Sequence, residues 1–368
     1  MIKAFDPCHE YEQHAREIDA AIGRVLHSGH VILGPEVEAF EREFAAFVGA
    51  GQAVGVKSGT DALLVALRAL EIGPQDEVIT VANTAVPTVA AIRAAGAVPR
   101  FVDVDPQTLL IDLDQLESSI GPATKCIMPV HLYGNPVDMQ PLMHMARARG
   151  LAVIADCAQA HGARIDGRHV GTMADIGCFS FYPTKNLGAF GDAGICTTND
   201  ARLAAQMRRI RMYGFDGDRI AHCEGICSRL DELQAAILRV KLAHLEEALG
   251  VRQRLAAEYS RLLANSDFVL PVTTKRGTHA FHQFVVRTAF REAVVDELQR
   301  AGIAYGIHYP TPVHLMPAYD WLGYERGDLP VTESAAQQVL SLPLHGGLSG
   351  SDVARVAGTL ISALPVGA

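Results

Sequence analysis

Between residues 53 and 200, short apolar runs alternate with stretches of helical period, and this limits the possible architectures more than any other feature of the chain. The runs are EVITVAN (77–83), AVPRFVDVD (97–105), KCIMPVHLYG (125–134), LAVIADCAQ (151–159), IGCFSFY (176–182) and AGICTTND (193–200). Runs without strict apolar–polar alternation predict strands buried on both faces. Between them lie periodic segments such as TDALLVALRALEIG (60–73) and DMQPLMHMARARG (138–150). Strand–helix alternation predicts an α/β sheet covered by helices. RLDELQAAILRVKLAHLEEAL (229–249) predicts one long helix, stopped by Gly250. Beyond it, AFHQFVVRT (280–288) and REAVVDELQRAGI (291–303) read as a smaller α+β unit. A chain of 368 residues exceeds one hydrophobic core, so two domains are expected: 1–250 and 251–368.

Composition then excludes several function classes. The formal charge is −9 and no long basic stripe is present, which argues against nucleic acid as a partner. No apolar run reaches bilayer length, and MIKAFDPCHEYEQ lacks the apolar stretch of a secretory signal, so no membrane partner is expected. Seven cysteines without framework spacing fit a reducing cytoplasm. The arrangements H-C-x₃-C (222–227) and C-x₃-H (157–161) do not match structural zinc spacing, so no metal is expected.

In open α/β sheets, ligands sit beyond the carboxyl ends of the strands. Three features fall there. Ser58, Gly59 and Thr60 lie between a strand and a helix, where free amides favour a phosphate, although an ordinary helix cap would look the same. Asp156 ends a strand after five apolar residues; it reads either as a cap or salt bridge, or as a carboxylate holding a cationic ligand atom. Lys185, one of only six lysines, sits in GCFSFYPTKNLGAFGDAG (177–194). It reads either as a solvated loop lysine or as a desolvated amine able to form a Schiff base. Ser180 could offer its hydroxyl to the same phosphate. Together they ask for a ligand with a phosphate, a cationic ring nitrogen and an aldehyde, and pyridoxal phosphate has all three.

The series SGHVILGPEVEAFE (28–41), SGTDAL, DCAQAHGA, FSFYPTKN, SRLDELQAA and HYPTPVHLMPAY (308–319) resembles the DegT/DnrJ/StrS family of nucleotide-sugar aminotransferases, enzymes of pyridoxal-phosphate fold type I. The wording PVHLYG, NPVDM and IHYPTPVHL is most similar to members that aminate C3 of a dTDP-linked 6-deoxy-hexose. The resemblance implies a seven-stranded mixed sheet in the large domain and a homodimer with shared active sites. It implies Lys185 as the Schiff-base lysine, Asp156 as the partner of the pyridine nitrogen, Gln159 near the ring hydroxyl, and Gly59, Thr60 and Ser180 as the phosphate cradle. Tyr182, Arg219, His308, Tyr309 and His314 become candidates for substrate contact. The implied reaction takes an amino group from L-glutamate, leaving 2-oxoglutarate, and delivers it to the sugar ketone. Alternatives are a UDP- or GDP-linked 4-keto sugar, a cyclitol ketone, or a non-catalytic regulatory or scaffold protein on the same fold.

Two departures from the family pattern stand out. Cys227 occupies the place where relatives carry an asparagine that reaches the phosphate bound to the other subunit. In VANTAVPT (81–88), small aliphatics stand where relatives place an aromatic on the pyridine ring. The segments RARG (147–150) and RRIR (208–211) read as solvated helix faces or diphosphate contacts.

Overall fold

The computed structural model describes residues 1–365. Two helices come first, α1 (Pro7–Ser28) and α2 (Pro35–Val48). Alternating elements follow: β1 (Gln52–Val56), α3 (Gly59–Ala69), β2 (Glu77–Val81), α4 (Val86–Ala94), β3 (Val98–Val102), α5 (Leu113–Ser119), β4 (Thr124–Ile127), α6 (Met139–Ala148) and β5 (Ala152–Asp156). Then come β6 (Ile176–Ser180), β7 (Gly194–Thr198), α7 (Ala201–Ile210), α8 (Glu232–Ala243) and α9 (Leu245–Leu263).

The seven strands form one sheet in the order β1-β7-β6-β5-β4-β2-β3. Strand β7 runs antiparallel to both β1 and β6, while the remaining neighbours are parallel. The sheet is therefore mixed, as the resemblance implied. Its inner strands are buried along their length, which explains why they read as continuous apolar runs. One core packs α2 and α8 against one face around Phe40, Phe44, Phe179 and Leu238. Another packs α3 against the opposite face around Leu63, Leu67, Ile154 and Met207.

The C-terminal part carries β8 (Phe284–Arg287), α10 (Arg291–Arg300), α11 (Pro330–Gln338), β9 (Val339–Leu342) and α12 (Gly350–Ser362). Strands β8 and β9 pair antiparallel. Tyr259 of α9, Phe284, Leu298 and Leu360 form the apolar cluster beneath them.

The expected helix over 229–249 is corrected in two ways. It breaks at His244 (φ −105°, ψ 1°), and Gly250 lies inside α9 rather than ending it. A mid-helix glycine costs only about 1 kcal/mol relative to alanine. Helix α9 offsets this by burying Leu249, Ala256, Tyr259 and Leu263. The segment RRIR is also not a plain solvated face. Arg211 is buried, 2.5 Å from Glu41 and 2.6 Å from the Gly55 carbonyl. Sequence spacing could not show that α2 places a carboxylate opposite it.

Candidate active site

Strand β5 lies fourth of seven, so its carboxyl end is the most enclosed point of the sheet edge. The ends of β1 and β6 and the start of the reversed strand β7 gather beside it. Three chain segments meet there at distances that only glycine permits. A Cβ on Gly59 would lie 2.5 Å from the Ser180 Cβ, and one on Gly194 would lie 2.3 Å from the Ser58 carbonyl oxygen. The start of α3 is thereby pressed against the sheet.

These elements enclose a cavity of about 240 Å³. Gly59, Thr60, Asp156, Gln159, Ser180 and Lys185 all line it, with Tyr182 at its rim, 53% exposed. Ser58 caps α3, its hydroxyl accepting from the Asp61 amide at 3.1 Å. The capping reading is thus right for the Ser58 side chain. The amides of Gly59 and Thr60, in the first helical turn, have no hydrogen-bond acceptor among the described residues. Such a turn is a ready anion site.

Asp156 is 4% exposed. Its Oδ2 accepts from Thr88 Oγ1 at 2.8 Å and its Oδ1 from the Ala158 amide at 3.0 Å. Burial raises its proton affinity, which the two donors and Lys185 oppose. A cationic group brought into the cavity would complete the set of partners. Lys185 keeps part of its surface toward the cavity but is otherwise surrounded by protein. Burial pushes its ammonium down to about 8, against the pull of Asp156. An amine with this proton affinity gives up its proton far more readily than an ordinary lysine, although most of it is still protonated at neutral pH.

Gln159 is held at both ends. Its Oε1 accepts from the Tyr133 amide at 2.6 Å, and its Nε2 donates to the Tyr309 hydroxyl at 3.2 Å. Burial pushes the Tyr309 phenol up to about 12. His308 Nδ1 lies 2.9 Å from Gln283 Nε2 and 2.8 Å from Ser341 Oγ. Its imidazole is pushed down to about 4, by burial first and then by Lys185.

The other candidates lie elsewhere. His314, expected as a substrate contact, is instead buried with its Nε2 3.2 Å from Glu333 Oε1, between Phe101 and Tyr324. A histidine beside two prolines reads as an exposed turn, and the carboxylate that buries this one is 19 residues away. Arg219 and Cys227 are exposed and do not line the cavity of their own chain. Cys227 Sγ accepts from Arg229 Nη2 at 3.2 Å.

Sequence reasoning missed Thr88 and Tyr133. Both were in view, Thr88 in VANTAVPT and Tyr133 in KCIMPVHLYG. The signal for Thr88 was the i,i+4 pair with Thr84, whose hydroxyls lie 2.8 Å apart. From residues 81–88, the cavity wall takes Thr84, Ala85, Pro87 and Thr88, without an aromatic ring.

A glycine-permitted amide turn, a buried carboxylate and a desolvated lysine in one cavity fit the phosphate, ring nitrogen and aldehyde of pyridoxal phosphate. On this seven-stranded mixed sheet they define a pyridoxal-phosphate enzyme of fold type I. The chain belongs to the DegT/DnrJ/EryC1/StrS aminotransferase family, whose pattern matches residues 12–361. It is 48% identical, over 94% of its length and 92% of the relative, to the dTDP-3-amino-3,4,6-trideoxy-alpha-D-glucose transaminase of Streptomyces venezuelae. It is 44% identical, over 93% and 92%, to the UDP-N-acetyl-3-dehydro-alpha-D-glucosamine 3-aminotransferase of Acidithiobacillus ferrooxidans. Its fold matches the crystal structure of S. venezuelae DesV in complex with a ketimine intermediate at a TM-score of 0.97, with 45% identity and 99% of each chain covered.

Proposed function

We propose that this chain transfers the amino group of L-glutamate to the C3 ketone of a dTDP-linked 6-deoxy-hexose, releasing 2-oxoglutarate and the 3-amino sugar. The observation that carries it is the joining of Lys185 and Asp156 in one cavity beside the open amides of Gly59 and Thr60. The dTDP-linked substrate is supported by the relative that is 48% identical. A UDP-linked 3-keto sugar is the second reading, favoured by the relative at 44%.

When bound, pyridoxal phosphate supplies a carbonyl for an amine and a ring that spreads negative charge away from the adjacent carbon. Gly59 and Thr60 would hold the phosphate through their amides, with the Ser180 hydroxyl beside them. Asp156 would accept the pyridine N–H, and Thr88 orients that carboxylate and favours its ionised form against the effect of burial. Gln159, fixed by Tyr133 and Tyr309, would face the ring hydroxyl. Lys185 Nζ takes the proton from the donor Cα and returns one on the product side, as general base and then acid. Its lowered proton affinity suits it to both roles near neutral pH.

Arg219 and Cys227 stand exposed away from the cavity. We assign that loop to the active site of a partner subunit, in a homodimer with shared sites. We further propose two domains divided within α9, around residue 250, and a cytoplasmic location. No helix among the described residues is long and apolar enough to cross a membrane.

The test is a competition among dTDP-, UDP- and GDP-linked keto sugars with glutamate as donor, run on wild type and Lys185→Ala. The dTDP-linked 3-keto sugar should be consumed fastest, and the variant should be inactive. Turnover by Lys185→Ala near the wild-type rate would remove Lys185 from the mechanism. Preference for a UDP-linked sugar would move the assignment to the second reading.

A further inference from the structure

Away from the cofactor cavity, α1 and the α8–α9 junction enclose a second cavity of about 310 Å³. Glu10, Gln13, His14, Lys241, His244 and Glu247 line it. Both histidines sit where a helix is interrupted. His14 is the non-helical residue inside α1 (φ −124°, ψ 18°), and His244 separates α8 from α9. The two rings stack with centroids 4.0 Å apart and planes 15° apart. His244 Nε2 is buried without a hydrogen-bond partner and faces Glu17 Oε2 at 3.6 Å. This ring nitrogen makes no hydrogen bond and has only the Glu17 carboxylate, beyond hydrogen-bond distance, for company, so it can still take a ligand.

We propose that His14, Glu17 and His244 form a site for a divalent transition-metal ion such as zinc, bridging α1 to the α8–α9 junction. One donor atom from each residue lies within 4.8 Å of the others. Zinc holds imidazole nitrogen and carboxylate oxygen at about 2.0–2.2 Å, so these donors must close by an ångström or more. Rotation of the His14 ring out of the stack and of the half-exposed Glu17 side chain supplies that closure. His14 and Glu17 lie three positions apart on α1, on either side of its break, and both already stand close to His244. Glu247 and Gln13 on the same wall, or water, can complete four-coordination. Glu10 is already paired with Lys241 at 2.9 Å. Lys241 also donates to the Gly188 carbonyl, so the ion would brace the helix pair that anchors the loop after Lys185.

The experiment is zinc titration of the chelator-stripped holoenzyme against a chromophoric competitor, with cobalt as a spectroscopic substitute. One zinc per chain should bind saturably and raise the thermal midpoint. His14→Asn and His244→Asn should each weaken uptake about tenfold or more, leaving the cofactor absorbance intact. Glu17→Gln, a near-isosteric change at an exposed position, should weaken it as well. Absence of saturable uptake by wild type, or uptake that all three variants retain, would overturn the site.

Discussion

Thr88 Oγ1 donates to Asp156 Oδ2 at 2.8 Å, and the two residues are 68 positions apart. This links the first turn of α4 to the carboxyl end of β5. The bond favours the ionised carboxylate, which burial opposes. A hydrogen bond to a charged group contributes about 1.5–3 kcal/mol. Thr88→Val should therefore weaken pyridoxal phosphate retention about tenfold or more at neutral pH. Spectrophotometric titration of the cofactor decides it, and equal affinities would show that Thr88 only packs.

Lys185 carries a pH dependence of known sign. In the folded chain its ammonium is pushed down to about 8, and its ordinary value is 10.5. Between these values the unfolded state binds the extra proton, so this group makes stability rise with pH. Below about pH 8 both states are protonated, and the folded state keeps a buried charge. In cofactor-free protein, the stability of wild type relative to Lys185→Met should increase from about pH 7.5 to about pH 9.5. Urea unfolding at each pH measures it. A constant difference would mean that Lys185 is solvated.

The contact between residues 59 and 180 predicts an ordered rescue. Gly59→Ala places a methyl 2.5 Å from the Ser180 Cβ, so the turn must shift. Overpacking of this kind costs about 1–3 kcal/mol, and the shift also moves the free amides. Thermal stability and cofactor affinity should both fall. Because the obstacle is the Cβ, Ser180→Gly should partly restore stability in the double variant, whereas Ser180→Ala should not. Equal rescue by both would place the clash at the hydroxyl.

The proposed place of Cys227 in a partner subunit's active site has its own test. A thiol is a weak donor and acceptor compared with an amide. In its own chain it meets Arg229 and does not reach the cavity. If it approaches the phosphate of the partner subunit, Cys227→Asn should hold pyridoxal phosphate more tightly than wild type. Cofactor titration of both proteins tests this, and equal affinities would refute the contact.

The strand and helix sequence of the α/β part was legible because strands buried on both faces need unbroken apolar runs. The cavity residues Asp156, Ser180 and Lys185 were legible because each lies in or just after such a run and departs from it chemically. Gly59 and Thr60 were legible as a strand-to-helix turn. Helix ends were harder: Gly250 read as a stop, but tertiary burial of α9 outweighs a glycine's local penalty. The true break, at His244, has no such marker in the sequence.

Sequence by itself determined the alternation of elements, the family resemblance and the set of polar groups at the strand ends, since these follow from local periodicity and residue type. Tertiary structure alone decided which of those groups share a space. It joined Thr88 to Asp156 and Tyr133 to Gln159, turned His314 toward Glu333, and set His14 against His244. Each of these pairings depends on the crossing of elements distant in sequence. Only the folded packing can desolvate Lys185 beside a carboxylate 29 residues earlier in the chain.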